Sequence, residues 1–265
     1  MLILKRNFKN VFVYRVCLPL MLVFGVYPVW AVPDAFKPVL SRLIPGSVVF
    51  IGETHQNPES MELIRSLVDA SLSARQCLTV ALEIDDRQQP LIDGVRSGVS
   101  SVNDIKIPAA IDHPAFRQMI NDLVELDKSS GCVSVVAIDT GIDTPFDRDD
   151  WMAKRLNDLP KDKPILVLVG ALHSLKHIDY LVRRARSPAA EQVNEAGLAK
   201  VSTYIQRWLP ETCSSHEGLR SPRFIPAEAP EALRILNSSV VSVVKAKLYS
   251  KAVGVVDGFI RWDCR

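Results

Sequence analysis

The sequence lacks the signature motifs of several common protein chemistries. It has no GxSxG of a serine hydrolase, no GxGxxG after a strand for a dinucleotide, and no GxxxxGK[ST] for nucleotide phosphates. It also has no CxxCH for haem attachment, no long-period repeat and no low-complexity tract. These absences argue against a serine hydrolase, a dinucleotide enzyme, a P-loop protein and a c-type haem protein.

An excess of positive charge is also missing beyond the first 31 residues. All four charged residues of that segment are basic, and they are Lys5, Arg6, Lys9 and Arg15. Subtracting these 4 from the 32 Lys and Arg leaves 28, against 30 Asp and Glu, so the remaining chain carries a charge near −2. We therefore expect no nucleic-acid partner, because binding to nucleic acid requires a basic surface.

The first 31 residues have the pattern of a cleaved secretory signal. A basic start is followed by a mostly apolar stretch over residues 16–30, and Val29 and Ala31 stand where a signal peptidase reads. The stretch is shorter than the roughly 20 residues that a spanning helix needs. Cys17 opens it, whereas a lipoprotein cysteine would close it. We expect export to the periplasm and a soluble mature protein without a membrane span.

Cysteine is scarce, with five residues in the chain and four after residue 31. An even number in an exported protein suggests disulfides, with three possible connectivities. Cys77 and Cys132 each precede a predicted strand, so we expect the pairs Cys77–Cys132 and Cys213–Cys264. A zinc cluster is disfavoured because no two of these cysteines are close in sequence.

Two stretches share one pattern, an apolar run that ends in glycine, then two residues, then histidine. The first ends in Gly52 and His55, and the second in Gly170 and His173. Short continuous apolar runs are typical of parallel strands that are covered on both faces. Each histidine then follows the carboxyl end of a strand, which is where ligands bind in open α/β sheets.

Further strands are expected at residues 78–84, ending on Glu83, and at residues 133–139, ending on Asp139. Apolar periodicity and capping residues favour helices, and these cover residues 34–43, 59–74, 89–95, 114–126, 148–159 and 174–186. The later chain is less regular, with an edge strand at 199–208, a loop at 213–230 and β-branched runs at 240–247 and 252–262.

This order predicts an α/β fold with a mostly parallel central sheet flanked by helices. Residues 32–265 would form one domain. Residues 87–131 are more than two βα units need between their strands, so they predict a helical insertion or lid over the carboxyl ends of the strands.

Five acids and bases are expected to converge at that edge, and they are Glu53, His55, Glu83, Asp139 and His173. Two chemistries fit them. His55, Glu83 and His173 could hold a divalent metal whose bound water is the nucleophile, or a histidine could act as general base for water. Both routes are hydrolysis, as in an esterase or a metallopeptidase-like enzyme.

Structural roles compete with these functional ones. Each glycine could serve a tight turn, and Glu53 could cap the next helix. Glu83 could be a structural hydrogen-bond partner of a loop, and Asp139 could be a turn residue or a partner of a helix start. Arg148 could bind an anionic group of a substrate together with Asp139, or it could belong to an ordinary charged helix start, because Asp149 and Asp150 follow it.

Four short motifs in this order resemble one superfamily. They are GETH at 52–55, ALE at 81–83, RDDWMA at 148–153 and GALH at 170–173. The superfamily joins ChaN-like haem-binding-uptake proteins, erythromycin esterases and Tiki/TraB proteins, and the chain is most similar to the ChaN-like branch. The resemblance spans roughly residues 48–181, with a trace at 257–260.

The resemblance implies an α/β core with a helical insertion and a pocket of Glu53, His55, Glu83 and His173, with Arg148 at its rim. It implies haem or iron binding or uptake first, and a periplasmic hydrolase of ester or amide bonds as the alternative. A scaffold without catalysis is the third hypothesis. The ligand would be haem, another small molecule or a divalent metal ion, and a homo-oligomer is possible.

Overall fold

The structure is a computed structural model that describes residues 32–141, 143–181, 186–209, 220–241 and 246–264. The expected signal at residues 1–31 and Cys213 of the second expected disulfide lie outside these residues. Both therefore stay predictions.

Within the described residues the chain forms one seven-stranded sheet. The strands are β1 (Ser47–Glu53), β2 (Leu78–Asp85), β3 (Val133–Asp139), β4 (Ile165–Gly170), β5 (Lys200–Leu209), β6 (Arg220–Pro226) and β7 (Gly258–Cys264). Their order across the sheet is β3-β2-β4-β1-β5-β7-β6. Every pairing is parallel except that of β6 with β7. The predicted mostly parallel α/β fold is confirmed.

Helices connect the strands along both faces of the sheet. They are α1 (Lys37–Leu40), α2 (Glu59–Ser73), α3 (Gln89–Ser97), α4 (Pro114–Ser130), α5 (Arg148–Asp158), α6 (Ala189–Ala196) and α7 (Pro230–Ile235). Short 3-10 turns lie at Asp34–Phe36, Asp86–Gln88 and Val102–Asp104, and a π-helical turn at Leu236–Val241 follows α7. In the part of the chain that is described, no helix is long and apolar enough to cross a membrane.

The central strands are apolar throughout because both of their faces are covered. Every residue of β1 and of β4 is buried. Val49 and Ile51 point into the cluster that α2 and α4 complete, while Val48 and Phe50 point into the cluster of α5 and α6. Alternate side chains of one strand therefore stabilise opposite layers, as the two-residue period of a strand requires.

A disulfide joins Cys77 and Cys132 at the amino ends of β2 and β3, as predicted. The two strands are parallel neighbours, with Leu78 paired with Val133. The backbone N–H of Leu78 also donates to the carbonyl of Cys132. The bond therefore fastens the edge of the sheet that is opposite to the histidines.

The segment predicted as an insertion has two parts with different positions. Helix α4 packs against β3 and α2 as a crossover helix between strands. Helix α3 lies along the outer edge of β3, where the Gln89 side chain donates to the Val135 carbonyl and accepts from the Ala137 N–H. The Gln89 amide thereby supplies the backbone partners that an edge strand lacks. A role of residues 87–131 as a lid stays a prediction.

The helix predicted at 174–186 is wrong over residues 174–181. The Lys176 N–H donates to the Val255 carbonyl, and Tyr180 forms a β-bridge with Ala246. These backbone groups bond to a distant part of the chain, so they are not available for the i to i−4 bonds of a helix. The next described helix is α6, which begins after Pro188.

Two expectations for the later chain are also wrong. Strand β5 is not an edge strand, because β7 pairs with its free side. The loop predicted at 213–230 contains β6, in spite of Pro222 and Pro226. Proline is tolerated there because β6 is the last strand of the sheet, where one row of backbone groups needs no partner. Of the β-branched runs, β7 occupies the end of the second, while residues 242–245 of the first lie outside the described residues.

Candidate functional site

The predicted site residues lie where β1, β2, β3 and β4 end. Strand β4 stands between β1 and β2, and Glu53 at the end of β1 pairs with Gly170 at the end of β4. The pairing of β2 with β3 is irregular between Leu82 and Asp85, so Glu83 falls within this irregularity. The sheet therefore places side chains from four strand ends at one edge.

His55 and Glu53 form the first of two histidine–carboxylate pairs. The Nδ1 atom of His55 lies 2.9 Å from Oε1 of Glu53. Glu53 is buried, whereas the His55 side chain is 34% exposed. The hydrogen bond that His55 donates to Glu53 raises the pKa of His55, against the opposing effect of burial. A carboxylate at Nδ1 favours a proton on that nitrogen, which leaves Nε2 to face a ligand.

The loop that carries His55 is held by two amide side chains. Asn57 donates to the carbonyls of Thr54 and His55 at 2.9 and 3.2 Å. Gln56 donates to the carbonyls of Ala109 and Ala110 at 3.1 and 2.8 Å. Gln56 has a φ of +70°, a conformation that costs a non-glycine residue about 1 kcal/mol. The loop before α4 therefore holds the histidine loop in a strained geometry.

Glu83 connects the remaining parts of the site. Its Oε2 accepts from the Gly170 N–H at 2.6 Å, and its Oε1 accepts from Nη2 of Arg148 at 2.5 Å. Glu83 is buried. The carboxylate is therefore fixed by β4 on one side and by the first turn of α5 on the other.

Arg148 lies between two buried acids. Its Nε is 3.1 and 3.0 Å from the carboxylate oxygens of Asp139, and its Nη2 also bonds to Asp139. The Thr140 N–H donates to the same carboxylate at 2.8 Å. The predicted pair of Asp139 and Arg148 is thus a contact within the site, with two guanidinium nitrogens engaged. Substrate binding by this pair stays a prediction.

His173 and Asp149 form the second histidine–carboxylate pair. The Nδ1 atom of His173 lies 2.7 Å from Oδ1 of Asp149, and the Ala189 N–H donates to the same oxygen at 2.7 Å. The other ring nitrogen, Nε2, is 3.8 Å from Oε1 of Glu83. Burial lowers the pKa of His173. The hydrogen bond to Asp149 and the charges of Asp149 and Glu83 raise it by more, so the pKa lies above its ordinary value.

Gly170 allows the two halves of the site to approach each other. A Cβ on this residue would lie 3.3 Å from Nε2 of His55 and 3.6 Å from Oε2 of Glu83. These distances place the His55 ring and the Glu83 carboxylate next to the same point of β4. Both histidines therefore present Nε2 toward the region around Glu83.

All six residues predicted for the site lie at this edge of the sheet. Sequence reasoning missed Asp149 and Gln56. The sequence places Asp149 only in an ordinary charged helix start. One feature of the sequence points to Asp149: it is an acid in the first turn of the helix that begins at Arg148. His173, which follows a strand, has no carboxylate partner predicted from the sequence. Gln56 had no such signal, because its partners are 53 and 54 residues away.

The predicted metal ligands are His55, Glu83 and His173. Among the described residues, no group of three or more His, Cys, Asp or Glu side chains is placed to hold a metal ion. The prediction of a metal centre is therefore not supported. For haem, the relevant groups are the two imidazoles, since histidine nitrogen is a common axial ligand of haem iron.

Together the fold and the site define an α/β protein with a cluster of acids and bases at the carboxyl edge of a mostly parallel sheet. Two imidazoles, each with a carboxylate at Nδ1, can exchange protons with a bound molecule. Glu83 and Arg148 form an ion pair in the same cluster.

No family model and no curated protein matches the sequence. Among solved structures, the chain is similar to ChaN of Campylobacter jejuni, described with cofacial haem binding, at 13% identity and a TM-score of 0.46, over 64% of this chain and 85% of that one. It is also similar to the type III effector HopBA1, at 10% identity and a TM-score of 0.43, over 88% and 96% of the two chains.

A third similar structure is RRSP, a MARTX toxin effector domain from Vibrio vulnificus CMCP6, at 15% identity and a TM-score of 0.40. The match covers 64% of this chain and 35% of that one. These likenesses concern the fold alone. Membership in the superfamily that the four motifs resemble stays a prediction.

Proposed function

We propose that the protein hydrolyses ester or amide bonds by acid–base catalysis with His55 and His173. One observation carries the proposal: each imidazole has its Nδ1 on a carboxylate, while each Nε2 faces the region of Glu83. A hydrogen bond at Nδ1 fixes the tautomer and raises the basicity of Nε2, which is how an imidazole is prepared to move protons.

The two imidazoles are assigned different roles. His55 is the more exposed ring, at 34% against 20% for His173, so water reaches it more easily and it acts as general base. His173 faces two carboxylates, Asp149 and Glu83, which favour its protonated form, and it acts as general acid toward the leaving group.

In the reaction, Nε2 of His55 removes a proton from water as the water oxygen attacks the substrate carbonyl carbon. The protonated His173 then gives its proton to the leaving oxygen or nitrogen as the carbon–heteroatom bond breaks. Glu83 bonds to Arg148 and to the Gly170 N–H, and it thereby holds α5 and β4 in place beside the two rings. The Gly170 N–H already donates to Glu83, so it does not serve as an oxyanion donor.

The test is a panel of chromogenic esters and peptide anilides with the purified protein, its His55→Ala variant and its His173→Ala variant. We expect turnover by the wild type and a loss of about 10²-fold or more in each variant. A chelator is expected to leave the rate unchanged. Turnover that persists in His55→Ala, or that requires added zinc, manganese or cobalt, contradicts the proposal.

Haem binding is the second candidate. The four motifs favour it by resemblance, and the part-exposed imidazole of His55 offers an accessible nitrogen to haem iron. A titration with haemin is expected to shift the Soret band in the wild type and not in His55→Ala. An unshifted Soret band at equimolar haemin removes this candidate.

We also propose export to the periplasm, because residues 1–31 have the pattern of a secretory signal. The disulfide between Cys77 and Cys132 is compatible with it, because disulfides persist in oxidising compartments. Amino-terminal sequencing of the protein from a periplasmic extract tests this location and the cleavage after residue 31.

A further inference from the structure

The site contains more negative than positive charge. Among the described residues, four carboxylates form it, and they are Glu53, Glu83, Asp139 and Asp149. Arg148 is the one guanidinium that contacts them in the described ranges. Even with both imidazoles protonated, three positive groups face four negative ones, and the site keeps a net negative charge.

Arg148 does not offset this excess for an incoming ligand. Its Nε and Nη2 atoms bond to Asp139, and Nη2 also bonds to Glu83. An anion that approached the guanidinium would meet two carboxylates at hydrogen-bond distance from it. Both acids are buried, so water screens their charges weakly.

Around the site, the neighbouring basic side chains are also paired with acids. Arg87 bonds to Asp85 and Asp143, and Arg186 contacts Asp147 and Asp150. Within the described segments, these two arginines are thus outnumbered by the acids that they contact. The surroundings therefore do not reverse the negative charge of the site.

Glu53 adds an observation that is independent of this balance. Its Oε1 accepts from His55, but its Oε2 is buried and has no hydrogen-bond partner among the described residues. Buried carboxylate oxygens are normally bonded, and an unpaired one calls for a donor. A group with N–H bonds, or a water that such a group orients, would complete it.

From these contacts we infer that the site selects substrates without negative charge, and that it prefers an ester or amide with a cationic ammonium group near the cleaved bond. This inference rests on the proposed hydrolysis. It assigns Asp139 and Glu83 to charge selection, because they cancel the attraction of Arg148 for anions.

Three p-nitrophenyl esters of similar shape test it: those of 4-(dimethylammonio)butyrate, whose tertiary ammonium carries an N–H, of its carbon isostere 5-methylhexanoate, and of the half-acid of glutarate. We expect kcat/KM at low salt to be highest for the cation and at least about tenfold lower for the anion, with the gap narrowing as salt rises. Equal rates, or a faster anionic ester, overturn the inference.

Asp139→Asn and Asp143→Asn form a matched pair of variants. Both remove one negative charge, but Asp143 lies at the exposed rim and Asp139 on Arg148. We expect Asp139→Asn to reduce the preference for the cation over the anion several-fold, and Asp143→Asn to change it much less. An equal effect of both would assign the selectivity to net charge and overturn the role of Asp139.

A binding measurement separates this inference from the proposed function. If no ester is cleaved in a His55-dependent way, the proposed hydrolysis fails. The NMR signals of the His55 and His173 ring protons are then followed as butyldimethylammonium or butyrate is added. Shifts with the ammonium ion alone support the charge selection. Shifts with butyrate, or with neither ion, overturn it.

Discussion

The Nδ1 atom of His173 lies 2.7 Å from Oδ1 of Asp149, although the two residues are 24 positions apart and belong to different elements. Asp149 stands in the first turn of α5, and His173 follows β4. The same carboxylate oxygen accepts from the Ala189 N–H, just inside α6. One acid therefore orients the imidazole and fastens the start of the next helix.

Asp149→Asn is expected to lower kcat by about 10²- to 10⁴-fold. The amide keeps the size of the side chain and can still accept from Ala189, but it removes the charge that raises the pKa of His173. If protonated His173 is the acid, the fall of activity at high pH should move to lower pH. The pH profile of kcat measures this shift.

Asp150→Asn is the matched control. This neighbouring acid bonds to Gln192 and Arg186 and not to either histidine. We expect its activity and pH profile to resemble those of the wild type. If Asp150→Asn loses as much activity as Asp149→Asn, the loss reflects damage to α5, and the role given to Asp149 is wrong.

His55 makes stability depend on pH. Its pKa in the folded protein lies above the ordinary value of about 6.5, because Glu53 bonds to the protonated ring. The protonated form therefore stabilises the fold below about pH 6.5, and this stabilisation is lost as pH rises through the folded-state pKa. His55→Asn should cost about 1 kcal/mol more at about pH 5 than at about pH 9.

Denaturant unfolding of the wild type, His55→Asn, Glu53→Gln and the double variant measures this coupling. Either single change should remove most of the same pH dependence, since each removes the attraction between the protonated His55 ring and the Glu53 carboxylate. A cost of His55→Asn that stays constant with pH, or that grows at high pH, would show that Glu53 does not raise the pKa of His55.

The pattern of apolar run, glycine and histidine was enough to predict β1, β4 and the position of both histidines. That signal is local, because a strand buried on both faces must be apolar at every position. Glu83 and Asp139 were predicted for the same reason, as the polar ends of two further strands. Their convergence followed from the rule that parallel strands end at one edge.

Sequence patterns could not predict the partners of these groups. The contacts of Asp149 with His173 and of Asp139 with Arg148 depend on the strand order, in which β4 lies between β1 and β2. This order is a property of the whole sheet. The false helix at 174–186 has a similar cause. Its backbone groups bond to residues near 246 and 255, and no local pattern records such contacts.

Gly52 and Gly170 are expected to respond differently to alanine. A Cβ at Gly52 would overlap the Ser174 hydroxyl and lie 2.9 Å from Cα of Ala171, so Gly52→Ala should destabilise the fold by about 3 kcal/mol. A Cβ at Gly170 would meet the His55 ring at 3.2 Å, so Gly170→Ala should cost about 1 kcal/mol or less and still lower activity.

Thermal unfolding and kcat of the two variants test this contrast. Ser174→Ala in the Gly52→Ala background should restore part of the stability, because it removes the hydroxyl but not the contact with Ala171. A Gly170→Ala variant with full activity would contradict the close approach of His55 to β4.

Loss of the disulfide between Cys77 and Cys132 should destabilise the fold without impairing the site. The bond closes a loop across 55 positions, for which chain entropy predicts about 4 kcal/mol. It lies at the amino ends of β2 and β3, at the opposite edge from the histidines. The Cys77→Ala, Cys132→Ala double variant should melt at a lower temperature and keep its kcat below that temperature.

Gln56 offers a test of whether the loop before α4 positions His55. Gln56→Ala removes the bonds to Ala109 and Ala110 and keeps a side chain at a φ of +70°, whereas Gln56→Gly removes the bonds and relieves the strain. Both variants should lose activity to a similar degree, while Gln56→Gly should be more stable than Gln56→Ala by about 1 kcal/mol.

The control for this comparison is Arg75→Gly. Besides Gln56, Arg75 is the described residue other than glycine that has a positive φ, and it lies just beyond the end of α2. It should gain stability for the same reason and leave kcat unchanged, because Arg75 lies before β2, whose opposite end carries Glu83. If Gln56→Ala keeps full activity, the contact with Ala109 and Ala110 only tethers the loop. A loss in both Gln56 variants without a matching loss of stability would instead mean that His55 needs this contact to face Glu83.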